Sequence, residues 1–232
     1  MRLDKLVASQ GKYSRNDVKK LIKQGQIFID GECAKSPELQ VDPDSSEVVI
    51  CGELLIYKEY IYIMMNKPAG VVSATDDKTH KTVLDLVPPE LYRDGLFPAG
   101  RLDVDTTGFV LLTDDGDFAH KILSPKNHIE KTYIATLAEE LTDEDIEALE
   151  QGIVLKDGYQ CLPCKINKLK STEIEIKICE GKYHQIKRMI GARNNKVLAL
   201  KRVQMGGLPL DIDIKEGFCR EITQDELVKI TS

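Results

Sequence analysis

Apolar residues recur at helical spacing near the start of the chain and at strand spacing through most of the rest. Leu3, Leu6 and Val7 share one face of a short helix predicted over residues 2–9. Ser14 with Asp17 is a capping-box variant that opens a second helix. Val18, Leu21 and Ile22 form its inner face, while Arg15, Lys19, Lys20 and Lys23 stay on the polar side. Gly25 is placed to end it. Ile27-Phe28-Ile29, the turn pair Asp30-Gly31 and a returning run then predict a hairpin. Pro37 and Pro43 punctuate the stretch before a strand at 47–50, and this small unit closes near residue 57.

From Ile61 the pattern changes. Strand-like runs recur at 61–65, 109–112, 132–137, 174–178, 197–200 and 218–222. Ile174, Ile176 and Ile178 alternate with charged residues, as in a strand with one wet face. Thr142 with Asp143, Glu144 and Asp145 opens a helix that turns Ile146 and Leu149 inward, and an acidic first turn suits a helix N-terminus. Residues 183–190 predict another helix, with Ile186, Met189 and Ile190 inward. Strands dominate and helices are interspersed. The expected fold is therefore α+β, with a small unit at 1–57 and a larger one at 58–232 built on a mainly antiparallel or mixed sheet.

Composition narrows the class of protein. The 232 residues are 42% hydrophobic and 30% charged, which fits a soluble globular chain rather than a disordered one. No apolar run reaches the roughly 18 residues of a membrane span, and the N-terminus lacks a signal-peptide core. Six cysteines lack a disulfide-framework spacing, so a reducing cytoplasm is expected.

Net charge is −6, which argues against nucleic-acid binding over the whole surface. The distribution argues for it locally. Residues 1–30 carry seven Lys/Arg against three acids, and residues 181–210 carry seven Lys/Arg and no acid. Residues 137–151 hold seven acids and no base. Two basic blocks in an acidic chain read as footprints for a polyanion.

The candidate chemistry centres on Gly100-Arg101-Leu102-Asp103-Val104-Asp105-Thr106-Thr107-Gly108, a glycine-bounded loop with two carboxylates just before an apolar run. Asp103 to Thr107 also satisfies the D-x-D-x-T pattern of haloacid-dehalogenase-type phosphatases. That pattern should follow a buried strand, whereas Pro98 and Gly100 interrupt the residues before it, and the later paired acid site is missing, since Gly116-Asp117 is followed by Phe118-Ala119-His120-Lys121. Cys161-Leu162-Pro163-Cys164 lacks the second pair that a zinc ribbon needs. As a redox motif it should open a helix, but Lys165-Ile166-Asn167 reads as extended. The four histidines lack ligand spacing, and His184 is read as a packed helix residue, the alternative being a role near Lys187 or a bound RNA.

Four motifs in a fixed order carry a resemblance. They are Asn66-Lys67-Pro68-Ala69-Gly70, the loop at 100–108, Glu130-Lys131-Thr132-Tyr133, and Glu180-Gly181-Lys182-Tyr183-His184-Gln185-Ile186-Lys187-Arg188-Met189, with Leu200-Lys201-Arg202 after the last. Together they resemble the RsuA family of pseudouridine synthases over essentially the whole chain. Arg2-Leu3-Asp4-Lys5 and the run 25–31 resemble the S-four-like (alpha-L) RNA-binding domain.

The resemblance implies isomerisation of one uridine in 16S ribosomal RNA, at position 516, with no cofactor. The partner is that RNA, either free or within a partly assembled small subunit, and the protein acts as a monomer. The absence of a basic extension before Arg2 points to the small-subunit branch; sister families modify large-subunit RNA, and a further alternative is a non-catalytic assembly factor. Asp103 matches the catalytic aspartate, Tyr133 a catalytic-site tyrosine that stacks on the extracted base and can also help move a proton, and Lys187 the cation that pairs with Asp103. Asp105 falls in a variable, structural slot. Leu200 matches a pocket wall, and Arg101 fills the gap left by the base. RNA backbone contacts are expected from Arg15, Lys19, Lys20 and Lys23, and from Lys182, Arg188, Arg193, Lys196, Lys201 and Arg202.

Overall fold

The computed structural model describes residues 1–231, which divide into two compact units. The first comprises Met1–Ile61 together with Val87–Leu96; the second comprises the remaining described residues.

The first unit is two helices on a four-stranded sheet. Helix α1 (Leu3–Ser9) buries Leu3, Leu6 and Val7. Helix α2 (Arg15–Lys23) begins at Ser14, whose hydroxyl accepts from the Asp17 amide while the Asp17 carboxylate accepts from the Ser14 amide. This reciprocal cap satisfies two of the amides a helix start leaves without partners. Val18 and Ile22 face the core, and Arg15, Lys19, Lys20 and Lys23 are exposed. Strands β1 (Ile27–Ile29), β2 (Glu32–Cys33), β3 (Val48–Ile50) and β4 (Glu53–Leu54) form the sheet in the order β2-β1-β3-β4. Arg93 ties the later segment into this unit by donating to the carbonyls of Lys58 and Glu59 at 3.0 and 2.9 Å.

The second unit is built on one large mixed sheet. Its elements in chain order are β5 (Tyr62–Lys67), β6 (Phe97–Pro98), β7 (Thr107–Thr113), α3 (Gly116–Leu123), β8 (Lys131–Leu137), α4 (Asp143–Glu150), β9 (Lys165–Lys170), β10 (Glu173–Ile178), α5 (Gln185–Ala192), β11 (Val197–Met205), β12 (Leu208–Pro209), β13 (Cys219–Glu221) and α6 (Gln224–Thr231). The main path runs β13-β5-β7-β11-β8-β10-β9. All these pairs are antiparallel except β7 with β11, which is parallel. Phe109, Leu111, Met64, Ile122 and Met205 fill a core on one side of the sheet.

The parallel pair places the site. It aligns Lys201 with Thr107 and Arg202 with Gly108, so the loop leading into β7 opens beside Leu200 on β11 and Tyr133 on β8. Gly108 permits this approach. Its φ is +98°, and a Cβ there would overlap the backbone of Arg202.

Candidate active site

The loop carrying Asp103 is held from below by the first motif. Lys67 at the end of β5 is fully buried, and its ammonium donates to the carbonyls of Pro68, Val104 and Thr106 at 3.0, 3.3 and 2.9 Å. Burial pushes this lysine down to about 8, against the pull of Asp105 and Asp103. The Gly70 amide donates to the Val104 carbonyl. The Ser73 hydroxyl accepts from the Leu102 amide at 3.1 Å and donates to the Leu102 carbonyl at 3.3 Å. The loop also closes on itself, because the Thr106 amide donates to the Asp103 carbonyl. Pre-organised backbone of this kind holds a carboxylate in place without spending binding energy at the moment of reaction.

Lys187, in the first turn of α5, bridges both carboxylates. Its Nζ lies 2.9 Å from Asp103 Oδ2 and 2.6 Å from Asp105 Oδ1. The Lys187 and Asp103 side chains are each about one-quarter exposed (23% and 25%), while Asp105 is 74% exposed. Burial alone would lower the Lys187 ammonium; its bonds to Asp105 and Asp103 outweigh that and hold it above the ordinary lysine value. The same bond holds Asp105 below the usual carboxylate range. The predicted Asp103–Lys187 pair is thus present as geometry, and Asp105, read from sequence as structural, shares its cation.

His184 departs from the sequence expectation. It precedes α5 as the N-cap rather than packing within it, with φ +48° and ψ +35°. The helix starts two residues later than the predicted 183. The left-handed turn places His184 Nε2 at 3.5 Å from Asp103 Oδ1 and stacks its ring on Tyr183, centroids 3.8 Å apart. The turn is anchored by Glu180, which is 2% exposed. Its carboxylate accepts from Tyr159 Oη at 2.5 Å, the Leu162 amide at 2.9 Å and Gln185 Nε2 at 2.6 Å, and Gln185 Oε1 accepts from the Lys182 amide. The bond to Glu180 pushes the Tyr159 phenol up to about 12.

A narrow pocket lies beside the ion cluster, with Arg101, Asp103, Tyr133, Ile178, Lys187 and Leu200 among its walls. Its volume of about 60 Å³ is room for roughly five water-sized groups, the scale of one pyrimidine ring. Tyr133 and Leu200 are 7% and 8% exposed and present apolar walls. Thr106 also contributes to the wall, and its Oγ1 is buried without a hydrogen-bond partner among the described residues.

The basic block at 181–210 is only partly a surface. Arg202 is a correction: at 3% exposure it is not placed to meet RNA backbone. It lies opposite Tyr133 in the β11–β8 register, with its guanidinium 6.0 Å from that ring, and its Nε donates to the Phe109 carbonyl at 2.6 Å. Arg193 is committed to the acidic helix, 2.7 Å from Asp145 and 3.7 Å from Glu144. Arg188 pairs with Asp157 at 2.5 Å. Lys182 and Lys196 are exposed, and Lys201 is half-buried. Lys131 is buried, donates to the Ile122 carbonyl, and is pushed down to about 8 chiefly by burial. Among the described residues no cluster of His, Cys, Asp and Glu could hold a metal, and no helix is long and apolar enough to cross a membrane.

Two short helices, the second opened by a capping box, on a small four-stranded sheet, with basic residues on the exposed side of the second helix, define an S4-type module; the mixed sheet behind a carboxylate–lysine pair defines the second. Comparison with known proteins resolves both. Residues 61–192 match the RNA pseudouridylate synthase model and residues 1–46 match the S4 domain. The chain is 49% identical to a Bacillus subtilis protein named "Uncharacterized RNA pseudouridine synthase YtzG", covering 98% of this chain and 97% of that one. It is 41% identical to "Ribosomal small subunit pseudouridine synthase A" of Haemophilus influenzae, with 99% of each covered, and 37% identical to the Escherichia coli K12 protein of that name, with 99% and 100% covered. A solved structure titled "Crystal structure of pseudouridylate synthase" superposes with a TM-score of 0.70 at 40% identity, covering 99% of both chains. The chain belongs to the RNA pseudouridylate synthase family and carries an N-terminal S4 domain.

Proposed function

We propose that this protein converts one uridine of small-subunit 16S rRNA, position 516, to pseudouridine. The observation that carries the reading is the Asp103 carboxylate, fixed by its loop and paired with Lys187 beside a pocket of pyrimidine size. In the reaction the bond from uracil N1 to ribose C1′ breaks, the base turns, and C5 bonds to C1′. The proton on C5 is replaced by one on N1, so atoms and electrons balance with no cofactor.

Asp103 supplies the carboxylate at the sugar–base bond. Lys187 keeps that carboxylate oriented and compensated in a partly desolvated pocket. Tyr133 and Leu200 sandwich the extracted base, and Arg101, exposed at the pocket edge, enters the gap it leaves. Extraction costs a few kcal/mol, offset by backbone contacts from Arg15, Lys19, Lys20 and Lys23 and from Lys182. We infer a monomer working in the cytoplasm, with an RNA-binding domain ending near residue 57 and a catalytic domain over 58–232 that lends its segment Val87–Leu96 to the first compact unit.

The names of the small-subunit relatives support the choice of RNA. The test is to incubate the protein with purified small- and large-subunit rRNA and with partly assembled small subunits, then map pseudouridine. One new pseudouridine in 16S rRNA is expected; modification confined to large-subunit RNA would replace the target, and none in any RNA would overturn the reading.

A further inference from the structure

A second depression of about 470 Å³ adjoins the Asp103 pocket and shares Arg101, Asp103 and His184 with it. Its outer wall is the turn 181–184, and the feature that stands out there is Tyr183. This tyrosine is 77% exposed. Its inner face lies on the His184 imidazole, 3.8 Å between centroids and 18° from coplanar. The turn beneath is fixed by the buried Glu180–Tyr159–Gln185 network, so the ring sits on a rigid base. Lys182 on the same turn is exposed, with its ammonium 4.7 Å from the Tyr159 ring centroid, and Arg101 is exposed across the depression. One carboxylate, Asp103, faces the space and is compensated by Lys187.

We propose that this depression is a second nucleobase subsite, in which Tyr183 backed by His184 stacks the RNA base adjacent to the target uridine while Lys182 meets its phosphate. The proposal rests on the reading of the protein as an RNA pseudouridine synthase. Its physical content is that flat, exposed aromatics flanked by cations stack splayed single-stranded bases. A uridine drawn into the pocket leaves its neighbour unstacked on one side, and a two-ring platform within the same depression restores that stack. Tyr183 is a binding residue here and touches no reacting atom.

The test uses the small-subunit rRNA hairpin that wild-type protein modifies, with 2-aminopurine placed in turn at each position flanking the target. Wild type and Tyr183→Phe should quench one flanking position and bind alike. Tyr183→Leu should lose the quenching and weaken Kd and KM about tenfold, with kcat at saturation within about twofold. Tyr183→Leu that binds and quenches like wild type would overturn the subsite. So would a Tyr183→Phe as weak as Tyr183→Leu, which would assign the effect to the hydroxyl, or a fall in kcat with KM unchanged. If wild type makes no pseudouridine in any rRNA, the functional reading fails instead, and quenching on the untreated 16S fragment still decides whether Tyr183 stacks a base.

Discussion

Lys187→Met tests the electrostatic core of the site. The substitution keeps length and apolar bulk and removes the charge. In the structure that charge stands 2.9 Å from Asp103 and 2.6 Å from Asp105, on a side chain only 23% exposed. A unit pair at about 4 Å is worth about 4 kcal/mol at the effective dielectric near a protein surface. Exposed pairs measure about 0–1 kcal/mol net, whereas breaking a buried pair costs about 3–5 kcal/mol. Lys187 lies between these limits, so its loss at Asp103 should be about 2 kcal/mol, or roughly 30-fold in turnover. RNA affinity should change less than about threefold, because the partner is a carboxylate and not a phosphate. With Lys187 gone, Asp103 and Asp105 repel across the space it occupied. Lys187→Met/Asp105→Asn should therefore regain about tenfold of the lost rate. The assay is single-turnover pseudouridine formation on an rRNA fragment, with Kd measured separately. Turnover of Lys187→Met within threefold of wild type, or an equal fall in affinity and rate, would refute the reasoning.

Asp105→Asn alone should keep most activity, within about fivefold, because Lys187 then serves Asp103 undivided; steady-state turnover loss equal to that of Asp103→Asn would contradict this. Replacing Arg15, Lys19, Lys20 and Lys23 with Gln should weaken binding to all RNAs alike and flatten the slope of log affinity against log salt by roughly 0.7–0.9 for each phosphate left without its cation. An unchanged slope in a salt titration would mean these exposed side chains face solvent in the complex. Lys131 titrates near 8 in the folded chain against an ordinary 10.5, so the unfolded chain binds more protons between those values and stability rises with pH across that window. Denaturation of wild type and Lys131→Met from pH 7 to 10.5 should show wild type gaining on the variant by on the order of 3 kcal/mol; a pH-independent difference would place the lysine's titration elsewhere.

The sequence is most legible where side chains and backbone agree locally. Ser14 and Thr142 announce helices because each cap pairs with an acid three residues on, and both boxes form. The alternation of Ile174, Ile176 and Ile178 survives into β10 with those three residues buried. Legibility fails where a charged residue is inside. Lys67, Lys131 and Arg202 look like surface positions in any hydropathy pattern, yet each is buried and donates to at least one backbone carbonyl. Arg202 also disguises β11, which runs to Met205 rather than ending at Leu200.

His184 and Tyr183 fail for a different reason. Their helical spacing is real, but Gln185 turns back to Glu180 and the Lys182 amide, and the chain enters α5 through a left-handed residue. No local signal marks that turn. Helix α3 is marked only by Asp115, whose carboxylate accepts from the Phe118 amide at its start. The Asp103–Lys187 pair spans separate elements, and its members are identified by motif and not by periodicity; what brings them together is the parallel β7–β11 pair.

The central claim is that the Asp103 carboxylate carries pseudouridine formation in small-subunit rRNA. Its most direct test maps pseudouridine in total rRNA from cells lacking this protein and complemented with wild type or Asp103→Asn, with RNA affinity of the variant checked in vitro. The account predicts one 16S uridine that is modified with wild type and left as uridine with Asp103→Asn, although the variant binds RNA nearly as tightly. Restoration of the modification by Asp103→Asn would contradict it.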